Sequence, residues 1–361
     1  MAGRRARVAS LMTVVLRALL LVFAVVLPFV WNLPDVSAAA PATGPAAAET
    51  WIWPAAPEQP RIAWVRNLSN AEDLGIRRSF FGRIVDLVLG AADTRMVRPM
   101  AVVAGHGVVY VADPGVKAVH RYDSQAGEHF LVRGPDGAPL PSPVGLARSV
   151  RGDVYVTDSA LGAVLRIRPG AKVAERMALD VKLDQPTGIA FDNERQRLYV
   201  TDTAKHVVHV LSTEGRLLQS IGGRGAGEGE FNYPTYLWID GAGRLLVTDS
   251  LNFRVQSFDA DGRFRNAFGR TGDGAGDALR QKGIAMDRFG HLYVADAGAN
   301  ALQVYSDDGK LLLSLGGLGQ DPGEFWLPAG VFIDTDDGNT IYVADSHNRR
   351  VQILRYVGGA T

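Results

Sequence analysis

Short apolar runs of four to six residues alternate along most of the chain with turns rich in Gly, Asp and Asn. Residues 236–268 show the pattern: four such runs are separated by turns such as residues 240–243, where Gly accepts a positive φ. The runs predict strands at residues 236–239, 245–248, 254–258 and 263–268. Four short strands in about 45 residues are typical of one blade of a β-propeller.

This blade pattern recurs six times across residues 99–355. Each copy has an Asp at the end of its second strand, and these marker aspartates follow one another at intervals of 44 to 49 residues. A Pro or its substitute, 14 to 17 residues earlier, begins the first strand of each copy. The marker aspartates are Asp113, Asp158, Asp202, Asp249, Asp296 and Asp345. The strand-initiating residues are Pro99, Pro143, Pro186, Pro234, Gln281 and Pro328.

The predicted fold is therefore all-β: a six-bladed β-propeller of four-stranded antiparallel blades, spanning residues 61–357. The sixth copy ends near Arg355, after its third strand. A strand-like segment at residues 61–66 is predicted to supply the missing outer strand and close the ring, which would leave no exposed sheet edge. Between this segment and the first blade, residues 79–89 predict a short amphipathic helix.

Three segments of copies four to six form a recognisable motif: residues 341–352 (Ile-Tyr-Val-Ala-Asp-Ser-His-Asn-Arg-Arg-Val-Gln), residues 249–256, and the Gly-rich link at residues 225–234. In these segments the chain resembles the NHL-repeat family. It implies a six-bladed propeller. It implies no single activity, because the family includes RNA-binding domains, protein scaffolds, extracellular sensor domains and an amidating lyase.

Residues 1–39 are predicted to target the chain for export. Arg4, Arg5 and Arg7 form a basic start. An apolar run of 13 residues comes next, and it is followed by small residues that suit cleavage near Ala39. The run is shorter than the roughly 20 apolar residues that span a membrane, which favours a signal peptide over an uncleaved anchor but leaves both open. The expected location is periplasmic or extracellular, with membrane contact only through this segment.

The remaining composition narrows the function classes. Residues 40–60 are rich in Ala and Pro and predict a linker. The chain has no Cys, so disulfides and thiolate metal sites are excluded. Beyond residue 39 there are 34 basic and 37 acidic residues, a net charge near −3, so nucleic acid is not expected as a partner. We expect a monomer without a cofactor. Its expected partner is an envelope protein or a small ligand.

Repetition separates structural from functional residues. The marker aspartates occur in every copy at a turn, where a carboxylate accepts backbone N–H groups, so they are predicted to be structural. Seven positions later, His120 and His209 occupy the column that holds Gln256 and Gln352 in other copies, and a similar structural role is predicted for them. The seven His residues fall in different strand positions, so no set of metal ligands and no catalytic residue is predicted.

The fourth position after each marker Asp varies in chemistry and is predicted to form a ring of exposed turns on one face, a candidate binding surface. Exposed aromatic residues beside Arg are common in binding sites. The candidate residues on this face are Lys117, His206, Phe253, Arg254, Asn300, Trp326, His347, Asn348 and Arg349. The sequence predicts a binding scaffold that acts through one face and the channel mouth, and the alternative is a metal-dependent lyase or hydrolase with its site in the channel.

Overall fold

The computed structural model describes residues 51–55, 57–59, 61–76, 95–272, 279–334, 336 and 339–358. The predicted export segment and the amphipathic helix predicted at residues 79–89 lie outside these ranges. Inside them, the chain forms six antiparallel sheets and three short 3-10 turns, at Ala71–Leu74, Pro135–Gly137 and Thr203–Lys205. None of the described helices is long and apolar enough to span a membrane.

The six sheets are the blades of a propeller, numbered in chain order. Their first strands contact one another in sequence around the ring and surround the central channel. Blade 1 has β3 (Ala101–Gly105), β4 (Val108–Asp113), β5 (Ala118–Asp123) and β6 (Glu128–Val132); blade 2 has β7 (Pro143–Arg148), β8 (Val154–Asp158), β9 (Ala163–Ile167) and β10 (Glu175–Arg176); and blade 3 has β11 (Pro186–Asp192), β12 (Arg197–Asp202), β13 (Val207–Ser212) and β14 (Leu217–Ile221).

The other three blades continue the ring. Blade 4 has β15 (Pro234–Ile239), β16 (Leu245–Asp249), β17 (Arg254–Phe258) and β18 (Phe264–Phe268); blade 5 has β19 (Gln281–Met286), β20 (Leu292–Asp296), β21 (Ala301–Tyr305) and β22 (Leu311–Gly316); and blade 6 has β23 (Pro328–Asp334), β24 (Thr340–Asp345) and β25 (Arg350–Tyr356), with β1 (Ile52–Trp53) and β2 (Ile62–Leu68) outside them. The predicted six-bladed fold is confirmed.

The ring closes in blade 6, as predicted. Strand β2 pairs antiparallel with β25, from Ile62 opposite Tyr356 to Leu68 opposite Val351. The sheet also extends one strand further than predicted, because β1, inside the segment assigned to the linker, pairs with β2. Trp53 in β1 packs against the core of blades 5 and 6, and this apolar contact explains why the short segment joins the sheet.

The hydrophobic core lies between the blades rather than inside any one of them. Six clusters of buried residues are present in the described chain, one at each interface between neighbouring blades. Each blade therefore buries both of its faces, which explains why the inner strands are continuous apolar runs instead of alternating ones.

Glycine brings the inner strands close together. Gly145, Gly188, Gly283 and Gly330 occupy the second position after the strand-initiating residue, and a Cβ atom there would lie 2.2 to 2.7 Å from a carbonyl oxygen of the next blade. The ring has two ends. The Asp face carries the six marker aspartates at the ends of the second strands, and the hairpin face carries the turns that join the first and second strands of each blade.

Removing the closing strands should expose the edge of β25. We expect a protein that lacks residues 1–70 to aggregate, because unpaired backbone groups of β25 become available to other chains. A protein that lacks only residues 1–49 keeps both β1 and β2 and should stay monomeric. Size-exclusion chromatography and thermal melting of the two truncations test this, and equal solubility and melting would contradict closure by β2.

Candidate functional site

The marker aspartates are structural, and all six side chains are completely buried. Asp296 is an example: its carboxylate accepts the backbone N–H groups of Leu279 and Arg280 from the link before blade 5, at 2.9 and 3.0 Å. It also accepts those of Gly298 and Ala299 in its own turn, at 2.8 and 3.0 Å. One carboxylate thus ties the start of the first strand to the end of the second strand.

Seven positions after the marker Asp, Gln and His were predicted to have the same structural role, and their distances to the marker carboxylate agree with this prediction. The Nε2 atoms of Gln256 and Gln352 lie 3.1 and 3.2 Å from the Oδ2 atom of the marker Asp in the same blade. Those of His120 and His209 lie 3.5 and 4.0 Å from the corresponding atoms. Burial is the largest influence on His209 and lowers its pKa, which favours the neutral imidazole. These two His residues serve the blade framework.

Substitution of Asp249 with Ala should destabilise blade 4. Its carboxylate accepts side-chain hydrogen bonds from Asn252, Arg254 and Gln256, so the change leaves buried donors unpaired and should cost about 3 kcal/mol. Asp261→Ala, in an exposed turn of the same blade, is the matched control and should cost less than about 0.5 kcal/mol. Chemical denaturation measures both values, and a similar small loss in both variants would contradict the structural role of the marker.

The fourth position after each marker Asp forms a column of residues on the Asp face, and all six of these residues share one backbone conformation. All six residues have φ between 53° and 59°, in the left-handed region, so the turn geometry defines this column. Exposure differs within it: Lys117 and Arg349 are exposed, Phe253 and Asn300 are half-buried, and His206 is buried. The expectation that every member lies in an exposed turn is therefore wrong for His206, because the next blade link covers it.

Two residues of this column hold links in place, where a link is the segment that connects one blade to the next. The Nδ1 atom of His206 accepts the backbone N–H of Tyr233 at 3.1 Å, and Oδ1 of Asn300 accepts that of Leu327 at 2.9 Å. Tyr233 and Leu327 are equivalent: each directly precedes a strand-initiating Pro and has a positive φ. The variable side chains His206 and Asn300 thus perform the same structural task in two blades.

Two further candidates also stabilise links. Arg254 donates to the Asp249 carboxylate at 2.9 Å and to the carbonyl oxygen of Gly227 at 2.7 Å. Asn348 donates to the carbonyl oxygen of Gly319 at 2.7 Å and to the marker Asp of its own blade at 2.9 Å. These bonds account for their positions without any ligand.

The other candidates on the Asp face keep accessible side chains. Trp326 is 43% exposed, and its ring centroid lies 5.5 Å from that of His347. Lys117 and Arg349 are exposed on the same face, and Phe253 is half-buried. The structure thus brings Trp326 and His347 into contact.

Tyr236 crosses the central channel. Its hydroxyl donates to the carbonyl oxygen of Met100, on the opposite blade, at 3.1 Å. In the ring, Tyr236 occupies the position that holds Gly in blades 2, 3, 5 and 6, so the side chain has room to extend across. Burial raises the pKa of Tyr236, which keeps the hydroxyl protonated as a donor. The Tyr236 side chain therefore spans the channel from blade 4 to blade 1.

A cavity of about 360 Å³ lies on the hairpin side of Tyr236. Its walls are apolar residues of the inner strands, among them Val103, Ile189, Trp238 and Phe332. Trp238 and Phe332 come from blades 4 and 6 and meet edge to face, with ring centroids 5.9 Å apart. A concave apolar cavity with a few polar groups at its rim is the usual form of a small-ligand site.

Polar residues from three blades converge at the rim of this cavity. The Oδ2 atom of Asp336 in blade 6 lies 3.4 Å from Nη1 of Arg148 in blade 2 and 3.5 Å from Nε2 of His106 in blade 1. The Arg148 side chain is only 13% exposed, and its guanidinium lies against the backbone of Gly105. The cluster joins the ends of three blades around one opening.

The candidate residues predicted from the sequence do not lie on the hairpin face, although the repeat contains a signal for it. Four inner strands end in an Asp or are followed directly by one, and its carboxylate accepts backbone N–H groups of the hairpin; these residues are Asp192, Asp240, Asp287 and Asp334. Departures from the repeat mark the cavity: Trp238 and Phe332 replace Val or Ala, and Arg148 replaces an apolar residue.

No three His, Cys, Asp or Glu side chains come together as a metal site within the part of the chain that the structure describes. Two of the acidic residues that line the cavity pair with arginines: Asp192 with Arg195 at 3.3 Å, and Asp240 with Arg244 at 3.0 Å. What the cavity offers is apolar contact, with a mixed polar rim.

Comparison with protein families matches residues 180–243 to a family described as a six-bladed β-propeller, DUF5128. These residues include blade 3 and the beginning of blade 4. A comparison with curated proteins finds no match.

Solved structures with similar folds have diverse functions. A catalytically inactive virginiamycin B lyase from Staphylococcus aureus with quinupristin is 14% identical, covers 74% of this chain and 97% of its own, and has a TM-score of 0.55. An auxiliary nutrient binding protein from Bacteroides ovatus is 12% identical, covers 73% of this chain and 70% of its own, and has a TM-score of 0.56. At these identities the similarity establishes the propeller fold alone.

Proposed function

We propose that this protein is an exported binding scaffold of the NHL type, and that it takes its ligand at the hairpin-face mouth of the channel. The observation that carries the proposal is the cavity beside Tyr236: the Tyr236 hydroxyl donates to the Met100 carbonyl oxygen across the channel, and Tyr236 is part of the lining of a cavity of about 360 Å³. The export and NHL parts rest on residues 1–39 and on the repeat motif, respectively.

The cavity chemistry defines the kind of ligand. Trp238 and Phe332 offer aromatic surface, which suits a flat apolar group. Arg148, His106 and Asp336 at the rim offer both donors and acceptors, which suits a polar end on the same ligand. The expected occupant is a small molecule with an aromatic body, or an aromatic side chain presented by a partner protein.

The hairpin face is a better candidate than the Asp face that the sequence favoured. On the Asp face, four of the nine candidate side chains are used in bonds to links or marker carboxylates: His206, Arg254, Asn300 and Asn348. On the hairpin face, the irregular residues Trp238 and Phe332 line a cavity instead. No arrangement of described residues favours the alternative, a metal-dependent lyase or hydrolase.

Filling the cavity should weaken binding. Ala190 lines the cavity at the inner-strand position that holds Phe332 in blade 6, so Ala190→Phe introduces a residue that the repeat already accepts there. Aromatic carboxylate and amide fragments, detected by saturation-transfer NMR, should bind the wild type and bind Ala190→Phe at least about ten-fold more weakly, since the aromatic contact is excluded.

Trp326→Ala and Arg349→Ala are the matched controls on the Asp face and should bind the same fragments as well as the wild type does. Thermal melting of each variant verifies folding. If the two Asp-face variants lose the fragments while Ala190→Phe keeps them, the Asp face is the binding surface and the proposal is wrong.

A further inference from the structure

A second cavity lies between blades 2 and 3, on the hairpin side of the ring. Its volume is about 620 Å³, which is enough for a small ligand. All the residues that line it belong to the described chain. Its lining is mostly polar and its charges balance, since it contains three arginines and three acidic residues: Arg151, Arg166, Arg176, Asp153, Glu175 and Glu214.

Blade 2 lacks the hairpin Asp of blades 3 to 6, which stands six positions after the strand-initiating residue. In blade 5 this residue is Asp287, whose carboxylate accepts the backbone N–H groups of Phe289 and His291 at 2.8 and 2.9 Å. It also accepts the hydroxyl group of Tyr293 at 3.1 Å. Ser149 takes this position in blade 2 and lines the cavity. Its side chain is only 4% exposed, and its Oγ atom has no hydrogen-bond partner among the described residues.

The groups around the missing carboxylate are also incompletely paired. Arg166 lies opposite Tyr155 in the sheet of blade 2, as Arg121 lies opposite Tyr110 in blade 1. Nε of Arg121 donates to the hydroxyl group of Tyr110 at 3.2 Å, whereas Nε of Arg166 is buried and has no partner in the described chain. The carboxylate of Asp153 has no hydrogen-bond or ion-pair partner in that part of the chain either. A donor and an acceptor are therefore unused beside one cavity.

The arginines of the lining keep further donors for a ligand. Nη2 of Arg166 lies 3.4 Å from Oε2 of Glu175, which binds Arg168 more closely, at 3.0 Å. Nη2 of Arg151 lies 3.4 Å from Oε1 of Gln196, in blade 3. Because a guanidinium group has five N–H donors, these long contacts leave most of them available.

We propose that this cavity binds a small polyhydroxylated molecule, such as one sugar unit of a glycan. A sugar hydroxyl group can donate one hydrogen bond and accept another, so it can accept from Arg166 and donate to Asp153 at the same time. The balanced charge of the lining favours a neutral ligand over a phosphate or a polyamine. Ser149 and Phe191 lie between this cavity and the central one and line both, but the proposal does not depend on the ligand of the central cavity.

The test measures binding of D-glucose, D-galactose and N-acetyl-D-glucosamine to the full-length protein by saturation-transfer NMR. At least one of the three sugars should bind the wild type. Cyclohexanol, which has a six-membered ring but one hydroxyl group, should not displace that sugar, because it leaves the polar groups of the site unpaired. If none of the three sugars binds, the proposal is wrong.

Two variants remove donors from the lining. Arg166→Met should weaken sugar binding at least about ten-fold, because a charge-assisted hydrogen bond is lost. Tyr155→Phe keeps the ring that stacks on Phe191 and should weaken binding about three-fold, because only a neutral hydroxyl group is lost. Thermal melting of both variants verifies that they are folded.

The matched controls lie outside the lining of this cavity. Arg168→Met removes the same charge beside Glu175, and Tyr199→Phe removes the equivalent hydroxyl group of blade 3. Both should bind sugar like the wild type. Ala190→Phe, which narrows the central cavity, should also keep its sugar affinity. Equal sugar affinity in Arg166→Met and the wild type, or a loss in Ala190→Phe that Tyr155→Phe does not show, would overturn the proposal.

Discussion

The buried marker carboxylate is the interaction on which the rest of the propeller depends. In each blade it accepts a backbone N–H group from the link before the first strand. In blades 1, 2 and 5 it also accepts backbone N–H groups from the turn after the second strand. Because the carboxylate is completely buried and these donors would otherwise be unpaired, the bond fixes where each blade begins. The core then forms between blades, and the ring closes when β2 pairs with β25.

A framework that repeats six times makes its exceptions informative. Tyr236 in a column of Gly and Ala crosses the channel, and Trp238 and Phe332 in a column of Val and Ala line the cavity beside it. None of these residues is needed by the repeat, so a function at the channel is the simplest reason for them.

The repeat and the closing strand could be predicted from the sequence because periodicity and turn residues are local signals. The binding surface could not. The link that covers His206 and the contact of Tyr236 with Met100, 136 residues away, depend on the assembled ring. Variation in a turn column suggests a binding surface, but His206 and Asn300 perform the same structural task with different side chains. Strand β1 was missed because only two residues pair, and its aromatic packing is a tertiary effect.

The most direct measurement is crystallographic, with brominated aromatic fragments soaked into crystals of the full-length protein. The anomalous signal of bromine locates the fragment without assumptions about the binding face. The account predicts a peak beside Trp238 and Phe332, on the hairpin side of a Tyr236 side chain that still contacts Met100. A peak beside Trp326 and His347 on the Asp face, or an open channel in which Tyr236 no longer reaches Met100, would contradict it.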